Sequence, residues 1–340
     1  MIENNKTILI TGIAGFIGFS LAKKIALEGY NIIGIDNLNS YYDVNLKYAR
    51  LKELGFNFPN NEEIGTSDLL PNIKFIKISI EDKQEIEKLF SENKIDIVVN
   101  LAAQAGVRYS ISNPDVYIQS NIVGFSNLIE ASKINNIEHF IFASSSSVYG
   151  NSLVAPFKED FNTDMPISIY AATKKSNELI AQVYNHLFNL KTTGLRFFTV
   201  YGPWGRPDMA PFLFIKSILE GESINVFNNG NLKRDFTYID DIVSGILNVI
   251  NSPGKDSDKS ARIYNLGNGA PVNLMDFISV LEKEVGRKAM INYLPMQPGD
   301  VFETFADTTL ISKEIGYQSQ ITIENGINQF VQWYKAFYNK

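Results

Sequence analysis

Ile8-Leu9-Ile10-Thr11-Gly12-Ile13-Ala14-Gly15-Phe16-Ile17-Gly18 decides the fold. A strand-sized apolar run (Lys6 to Thr11) meets three glycines spaced three apart, and an amphipathic segment from Ala14 to Glu28 reads as a helix. Glycines at this spacing let the backbone turn tightly and approach a pyrophosphate, and the last lets helix and strand pack closely. The helix N-terminus then aims free N–H groups at the anion.

Working outward, Asn31 to Asp36 reads as the next strand, and Asp36 ends it 24 residues after Gly12. A carboxylate there accepts hydrogen bonds from adenosine ribose hydroxyls and repels a 2′-phosphate, which favours NAD over NADP. The competing reading is a structural turn with a surface aspartate. The alternation continues. Lys74 to Ile78, Ile95 to Leu101, His139 to Ala143 and Thr192 to Phe197 read as strands; Gln84 to Glu92, Asp115 to Asn135 and Ile169 to Leu190 read as helices. This order predicts an α/β fold, a doubly wound parallel Rossmann sheet with its ligand crevice at the strands' carboxyl ends. Residues 56–72, polar with scattered Pro and Gly, read as a surface insertion. Beyond residue 198 the pattern loosens into a Pro- and Gly-rich stretch, and Phe236 to Leu266 reads as helix then strand. We expect an NAD-binding domain from 1–198 plus about 236–269. A smaller C-terminal α/β substrate-binding domain takes about 199–235 plus 270–340.

Composition narrows the function. The chain has 340 residues, a net charge of -6 and no cysteine, so thiol catalysis and disulfides are excluded. Its acidity argues against nucleic acid or an anionic membrane as partner. His139 and His186 are the two histidines, which excludes a histidine-rich metal centre; both read as structural or solvated. No signal-peptide pattern or bilayer-length apolar run is present, so the expected location is the cytoplasm.

Tyr170 and Lys174 stand four apart in a helical segment and share a face. A free tyrosine is a poor base at neutral pH, but a neighbouring ammonium stabilises the phenolate. The run Ser144-Ser145-Ser146-Ser147, just after the strand His139 to Ala143, adds hydroxyl donors where this fold places its chemistry. Tyr41, Tyr42, Trp204 and Phe212 either stack a base or pack.

With these residues assembled, the chain resembles the extended short-chain dehydrogenase/reductase family of nucleotide-sugar epimerases over nearly its whole length, and within it the members that act on UDP-glucuronate. The resemblance rests on Asp36-Asn37-Leu38-Asn39-Ser40-Tyr41-Tyr42-Asp43, Ala102-Ala103-Gln104-Ala105-Gly106-Val107-Arg108, Ser144 through Gly150 and Tyr170-Ala171-Ala172-Thr173-Lys174. The run from Arg196 through Thr199, Gly202, Trp204 and Arg206 to Ala210 is the most diagnostic, followed by Arg234-Asp235-Phe236 and Gln297-Pro298-Gly299-Asp300.

The resemblance implies tightly held NAD, transient oxidation at sugar C4, and return of the hydride to the opposite face. It assigns Tyr170 as base, Lys174 as its tuner and ribose anchor, and Ser145 as donor to the substrate oxygen. The cofactor positions it implies are Gly12, Gly15, Phe16, Ile17, Gly18, Asp36, Asn37, Asn39 and Ser40, then Ile80, Leu101, Ala102, Ala103, Gln104, Asn121, Ser144 and Phe197. For a UDP-hexuronic acid substrate they are Arg108, Ser145, Ser146, Thr199, Arg206, Val226, Arg234 and Asp300. Relatives pair through the helices over 115–135 and 169–190, which implies a homodimer. The chain departs from the pattern at Ser79, where many relatives carry an aspartate facing adenine, and at Gln297, where some carry arginine.

Dehydratases of the superfamily place an Asp-Glu pair where Ser146 and Ser147 stand here, and decarboxylases hold a glutamate at the second position. Neither serine can act as a carboxylate acid or base, which leaves hydride transfer out and back. A C4-oxidised glucuronate is a β-keto acid and loses CO₂ when its carboxylate bond aligns with the carbonyl π system. Arginine forks suit the restraint that prevents this. Only seven of the 31 basic residues are arginine, and Arg108, Arg196, Arg206 and Arg234 all fall in the motif stretches. Thr199 and Arg206 are the candidates for the carboxylate. The expected reaction is UDP-glucuronate to UDP-galacturonate. Rivals are a 4-epimerase of neutral UDP-hexoses, a net oxidoreductase releasing reduced cofactor, and a nucleotide sensor without catalysis.

Overall fold

A computed structural model describes residues 6–58, 64–152, 154–252, 261–297 and 299–340. Pro298, residues 59–63 of the insertion and residues 1–5 of the N-terminal reading lie outside the described residues. The strands are β1 (Thr7–Thr11), β2 (Asn31–Asp36), β3 (Ile64–Thr66), β4 (Ile73–Lys77), β5 (Ile97–Asn100), β6 (His139–Ser145) and β7 (Thr192–Phe197). They continue as β8 (Thr199–Tyr201), β9 (Ser223–Phe227), β10 (Lys233–Arg234), β11 (Phe236–Tyr238), β12 (Arg262–Leu266), β13 (Val272–Asn273) and β14 (Met290–Leu294). The helices are α1 (Phe16–Leu27), α2 (Val44–Glu53), α3 (Lys83–Glu92), α4 (Tyr109–Ser112), α5 (Pro114–Tyr117) and α6 (Phe125–Ile134). After them come α7 (Ile169–Phe188), α8 (Ala210–Glu220), α9 (Ile239–Asn251), α10 (Leu274–Val285), α11 (Thr309–Ile315) and α12 (Ile323–Tyr338).

The chain divides into two compact units. The first comprises Met1–Gly150, Asn162–Arg196 and Ile246–Tyr264, and the second Asn151–Phe161, Phe197–Gly245 and Asn265–Lys340. An eight-stranded sheet in the order β12-β7-β6-β5-β1-β2-β4-β3 organises the first unit. β1 runs parallel to both β2 and β5, so strand order reverses at β1 and opens the crevice that this fold uses for ligands. Ile8, Leu9 and Ile10 are fully buried, as a strand covered on both faces requires. Phe125 of α6 packs edge to face against Phe140 and Phe142 of β6.

Three expectations change. The insertion over 56–72 contributes an edge strand, because β3 pairs antiparallel with β4 while Phe56 and Phe58 stack beside Phe75. The continuous helix expected over 115–135 is broken. Between α5 and α6, Ile118–Gly124 winds as a π-helix, and Asn121 within it bonds both backbone groups of Gln104. Phe236–Tyr238 likewise forms a strand before α9 begins, where helix alone was expected.

In the second unit β9 pairs parallel with β14, β8 with β11, and β10 pairs antiparallel with β13. Residues 151–161 join it through Phe157, which bridges Ala306 and accepts a bond from Asn265. Trp204 and Phe212 pack onto α12 rather than standing free: Trp204 lies 5.2 Å from Trp333, and Phe212 lies 5.2 Å from Tyr334. Among the described residues, no helix is long and apolar enough to cross a membrane.

His139, the first residue of β6, is buried and shares a 2.8 Å hydrogen bond with Thr193. Burial, with Lys191 and Lys6 adding to it, pushes its pKa down to about 3. The native state therefore binds fewer protons than the unfolded chain between that value and the ordinary 6.5, and stability falls as pH drops through this window. Denaturant midpoints measured from pH 7 to pH 5 will fall less steeply in His139→Gln than in the parent; equal slopes refute the assignment.

Candidate functional site

The glycine loop joins β1 to α1. Gly12 has φ +72°, and a Cβ on it would stand 3.0 Å from the backbone N of Ala102. A Cβ on Gly18 would meet the Gly12 carbonyl at 2.2 Å, so only glycine lets the first turn of α1 close onto the loop. Gly15 caps that helix without a side-chain bond, which leaves the N–H groups of Phe16, Ile17 and Gly18 in the orphaned first turn. Thr11 Oγ1 bonds Asn100 at 2.6 Å and accepts the Ala102 N–H at 3.0 Å. The loop is thus fixed to the segment Leu101–Ala103 that follows β5.

Asp36 is buried at the end of β2. Its carboxylate accepts N–H groups from Ala14 at 3.2 Å and Leu38 at 2.8 Å, and pairs with Lys47 at 3.5 Å. A carboxylate has about four lone-pair sites, so capacity remains for a ribose hydroxyl. Asn37 and Asn39 fold the next turn back on itself, with Asn39 also accepting from Lys47 at 3.1 Å. Arg50, fully buried, donates to the Ala14 carbonyl at 2.9 Å and the Tyr42 hydroxyl at 2.7 Å. Tyr42 is therefore a packing residue over Lys47 and Arg50. Ser40 is exposed. Ser79, at the departure from the family pattern, accepts from Asn37 Nδ2 at 3.2 Å and donates to the Glu81 carboxylate. Ile80 is buried against Gly124.

On the β6 side of the same unit, α7 presents Tyr170, Lys174 and Glu178 four residues apart. Lys174 Nζ donates to the Ala143 carbonyl at 2.7 Å, and burial lowers its pKa to about 8. It stays largely cationic at neutral pH. Ser144 donates to Glu178 at 2.6 Å, and the Ser145 hydroxyl caps a 3₁₀ turn, Ser146–Tyr149, by accepting the Ser147 N–H at 3.2 Å. Tyr170 is half-buried and meets the edge of Tyr117 with ring centres 6.1 Å apart. Tyr117 in turn donates to the carbonyls of Ala105 and Gly106. Asn121 ties Gln104 to Thr173 on α7. Arg108 is exposed. Arg196, counted among the arginines of the motif stretches, is spent internally: it grips Glu178 at 2.8 and 2.9 Å and Tyr149 at 2.9 Å.

The second unit carries the remaining candidates. Phe197 and Val226 are buried. Thr199 opens β8, and its N–H donates to the Asp235 carbonyl at 3.1 Å. Arg206 makes a two-point ion pair with Asp208, one bond at 3.0 Å. Arg234 Nη1 donates to the Phe302 carbonyl at 3.1 Å, and the Asp300 N–H donates to Gln297. Asp235 was not anticipated. Its buried carboxylate gathers the N–H groups of Asn268, Gly269 and Ala306, while burial raises its pKa against those bonds. Lys47, Arg50 and Tyr117 were missed because their partners lie in other elements. Glu178 had a signal: it continues the four-residue spacing of Tyr170 and Lys174.

Among the described residues no cluster of three or more His, Cys, Asp or Glu could hold a metal ion. The glycine cradle, the orphaned N–H groups and Asp36 fit a dinucleotide with free ribose hydroxyls. A family model, the NAD dependent epimerase/dehydratase family, matches residues 8–267. The chain is 44% identical over 99% of its length to UDP-glucuronate 4-epimerase 4 of Arabidopsis thaliana, covering 77% of that protein. UDP-glucuronic acid 4-epimerase of Bacillus cereus, solved with UDP-glucuronic acid and NAD, superposes at TM-score 0.88 with 33% identity, 98% of this chain and all of that one covered. UDP-glucose 4-epimerase of Thermotoga maritima, solved with UDP-glucose, superposes at 0.84 with 29% identity, over 98% of this chain and 99% of that one. The chain belongs to the NAD dependent epimerase/dehydratase family and is an NAD-using nucleotide-sugar 4-epimerase.

Proposed function

We propose that the chain interconverts UDP-glucuronate and UDP-galacturonate by inverting sugar C4 through a transient 4-keto sugar. The observation that carries this reading is the hydroxyl-only turn, Ser145-Ser146-Ser147, at the end of β6 beside the α7 face of Tyr170 and Lys174. With no carboxylate there to strip a C5 proton, the elimination route is closed, and with the uronate carboxylate restrained against decarboxylation the 4-keto sugar goes forward by return of the hydride.

In this reading Tyr170 takes the proton of the C4 hydroxyl. Its phenolate is stabilised by the Lys174 ammonium, and Ser145 donates to the same oxygen. Bound NAD supplies a reversible store for the C4 hydride. The loop from Gly12 to Gly18 takes the pyrophosphate and Asp36 the adenosine ribose. In the same reading Arg234 and Asp300 take the substrate's diphosphate and uridine ribose, and Thr199 and Arg206 its carboxylate. Ser146 adds a hydroxyl, and Val226 and Arg108 complete the proposed contacts. Arg206 holds Asp208 by a two-point ion pair, so a uronate carboxylate would compete with Asp208 for the same guanidinium.

The neutral-sugar reading is favoured by the likeness to the UDP-glucose enzyme. Incubation with UDP-glucuronate, then with UDP-glucose, without added cofactor and followed by proton NMR of the anomeric signals, separates the two. Turnover of the acid is expected; turnover of the neutral sugar alone overturns the proposal. Arg206→Ala will lower kcat/KM for the acid roughly 10- to 100-fold, the worth of a charge-assisted bond, and an unchanged value removes Arg206 from the assignment.

We also propose a homodimer built on α7. Leu179, Val183 and Leu187 are at least half exposed and four residues apart, an apolar stripe left open in the single chain. Light scattering at micromolar protein should give twice the chain mass, and a monomer mass refutes it.

A further inference from the structure

The serine turn between β6 and the chain that follows it is gripped at both ends by one buried ion pair. Ser144, just before the turn, donates to Glu178 Oε1 at 2.6 Å. Tyr149, which ends it, accepts from Arg196 Nη1 at 2.9 Å, and its ring lies 4.8 Å from the guanidinium. Glu178 and Arg196 join these two grips by parallel bonds of 2.8 and 2.9 Å. All four residues are buried, at 2% exposure for Ser144, 4% for Tyr149, 6% for Glu178 and 3% for Arg196. Ser145 and Ser146 lie between the grips.

The same helix face sets a second rung. Lys174, four residues before Glu178, holds the Ala143 carbonyl at 2.7 Å. Successive residues of β6 are thus read by successive turns of α7. A guanidinium fork can satisfy a carboxylate and a phenol at once because its five N–H groups are fixed in one plane. An ammonium carries the same charge but no such fork.

We infer that Glu178 and Arg196 are positioning residues for the reaction, clamping the turn so that the hydroxyls of Ser145 and Ser146 are held in place for the sugar. The clamp touches neither the sugar nor the dinucleotide in this account; it acts through Ser144 and Tyr149. This rests on the reading of Ser145 as the donor to the substrate oxygen. Its test is nevertheless made on whichever UDP-hexose the parent protein epimerises, so failure of the uronate reading leaves the comparison intact.

The experiment measures kcat, KM, retained NAD and thermal midpoint for Tyr149→Phe and Arg196→Lys. Tyr149→Phe keeps the ring under the guanidinium and deletes one oxygen, so it preserves the fold. We expect kcat to fall about tenfold in Tyr149→Phe and about 100-fold in Arg196→Lys, the scale of a misplaced catalytic group. KM and NAD content should stay within about twofold of the parent. Charge alone does not rescue the lysine variant. If the variants lose thermal stability while kcat per folded molecule stays at the parent value, the pair is structural only and the inference falls. It falls equally if Arg196→Lys restores kcat, or if KM rises with kcat unchanged.

Discussion

A buried ammonium on the inner face of α7 is the constraint around which the first unit is arranged. Lys174 lies at 4% exposure and donates to the carbonyl of Ala143. Taking a charge out of water costs several kcal/mol unless partners replace the water. Ala143 supplies one such partner, and the remaining donors of the ammonium are available for a ligand. Burial weakens the hold on its proton, which makes it a charge responsive to a phenol on the same helix face. Tyr170 occupies that face one turn earlier, and Glu178 one turn later anchors Ser144. A continuous stripe of one helix thus carries polar side chains, where a core-facing helix ordinarily carries apolar ones, and it is this stripe that we propose does the chemistry.

The opposite side of the crevice rests on backbone geometry. Gly12 and Gly18 approach so closely that a methyl group on Gly18 would overlap a carbonyl oxygen. That closeness opens the first turn of α1 toward an anion, and it is enforced from behind by Thr11, Asn100 and Ala102. The carboxylate proposed for the adenosine ribose is held in the same manner. Asp36 bonds forward to Leu38 and back to Ala14, and the buried cations of α2, Lys47 and Arg50, fasten it and the loop together. Breaking a buried pair of this type strands a charge, at a cost of about 3–5 kcal/mol.

Local patterns were the legible part. Strand-sized apolar runs, the glycine spacing, the placement of Asp36 and the Tyr170–Lys174 spacing are properties of neighbouring residues, and they suffice for the parallel sheet. What escaped depended on distant partners. The π-helical turn at Ile118–Gly124 has no signature in a helical run; it exists because Asn121 must meet the Gln104 backbone and Thr173 at once. Residues 56–72 read as a surface insertion with no strand of its own because their polar composition hides Phe56, which is buried beside Phe75 next to the edge strand. Arg196 resembled a ligand-binding arginine by its motif; its commitment to Glu178 is visible only when α7 and β7 are side by side. Asp235 escaped because its partners are backbone groups of Asn268, Gly269 and Ala306, which leave no residue-type trace.

The central claim is that the phenol of Tyr170, tuned by Lys174, takes the C4 hydroxyl proton while the hydride is borrowed and returned. The most direct measurement is the rate of C4 inversion in Tyr170→Phe, followed by NMR with no cofactor added and with the protein's NAD content determined beforehand. The account predicts a loss of about 10²- to 10⁴-fold, the reach of a positioned general base, with NAD still bound. Inversion at the parent rate in that variant would contradict it.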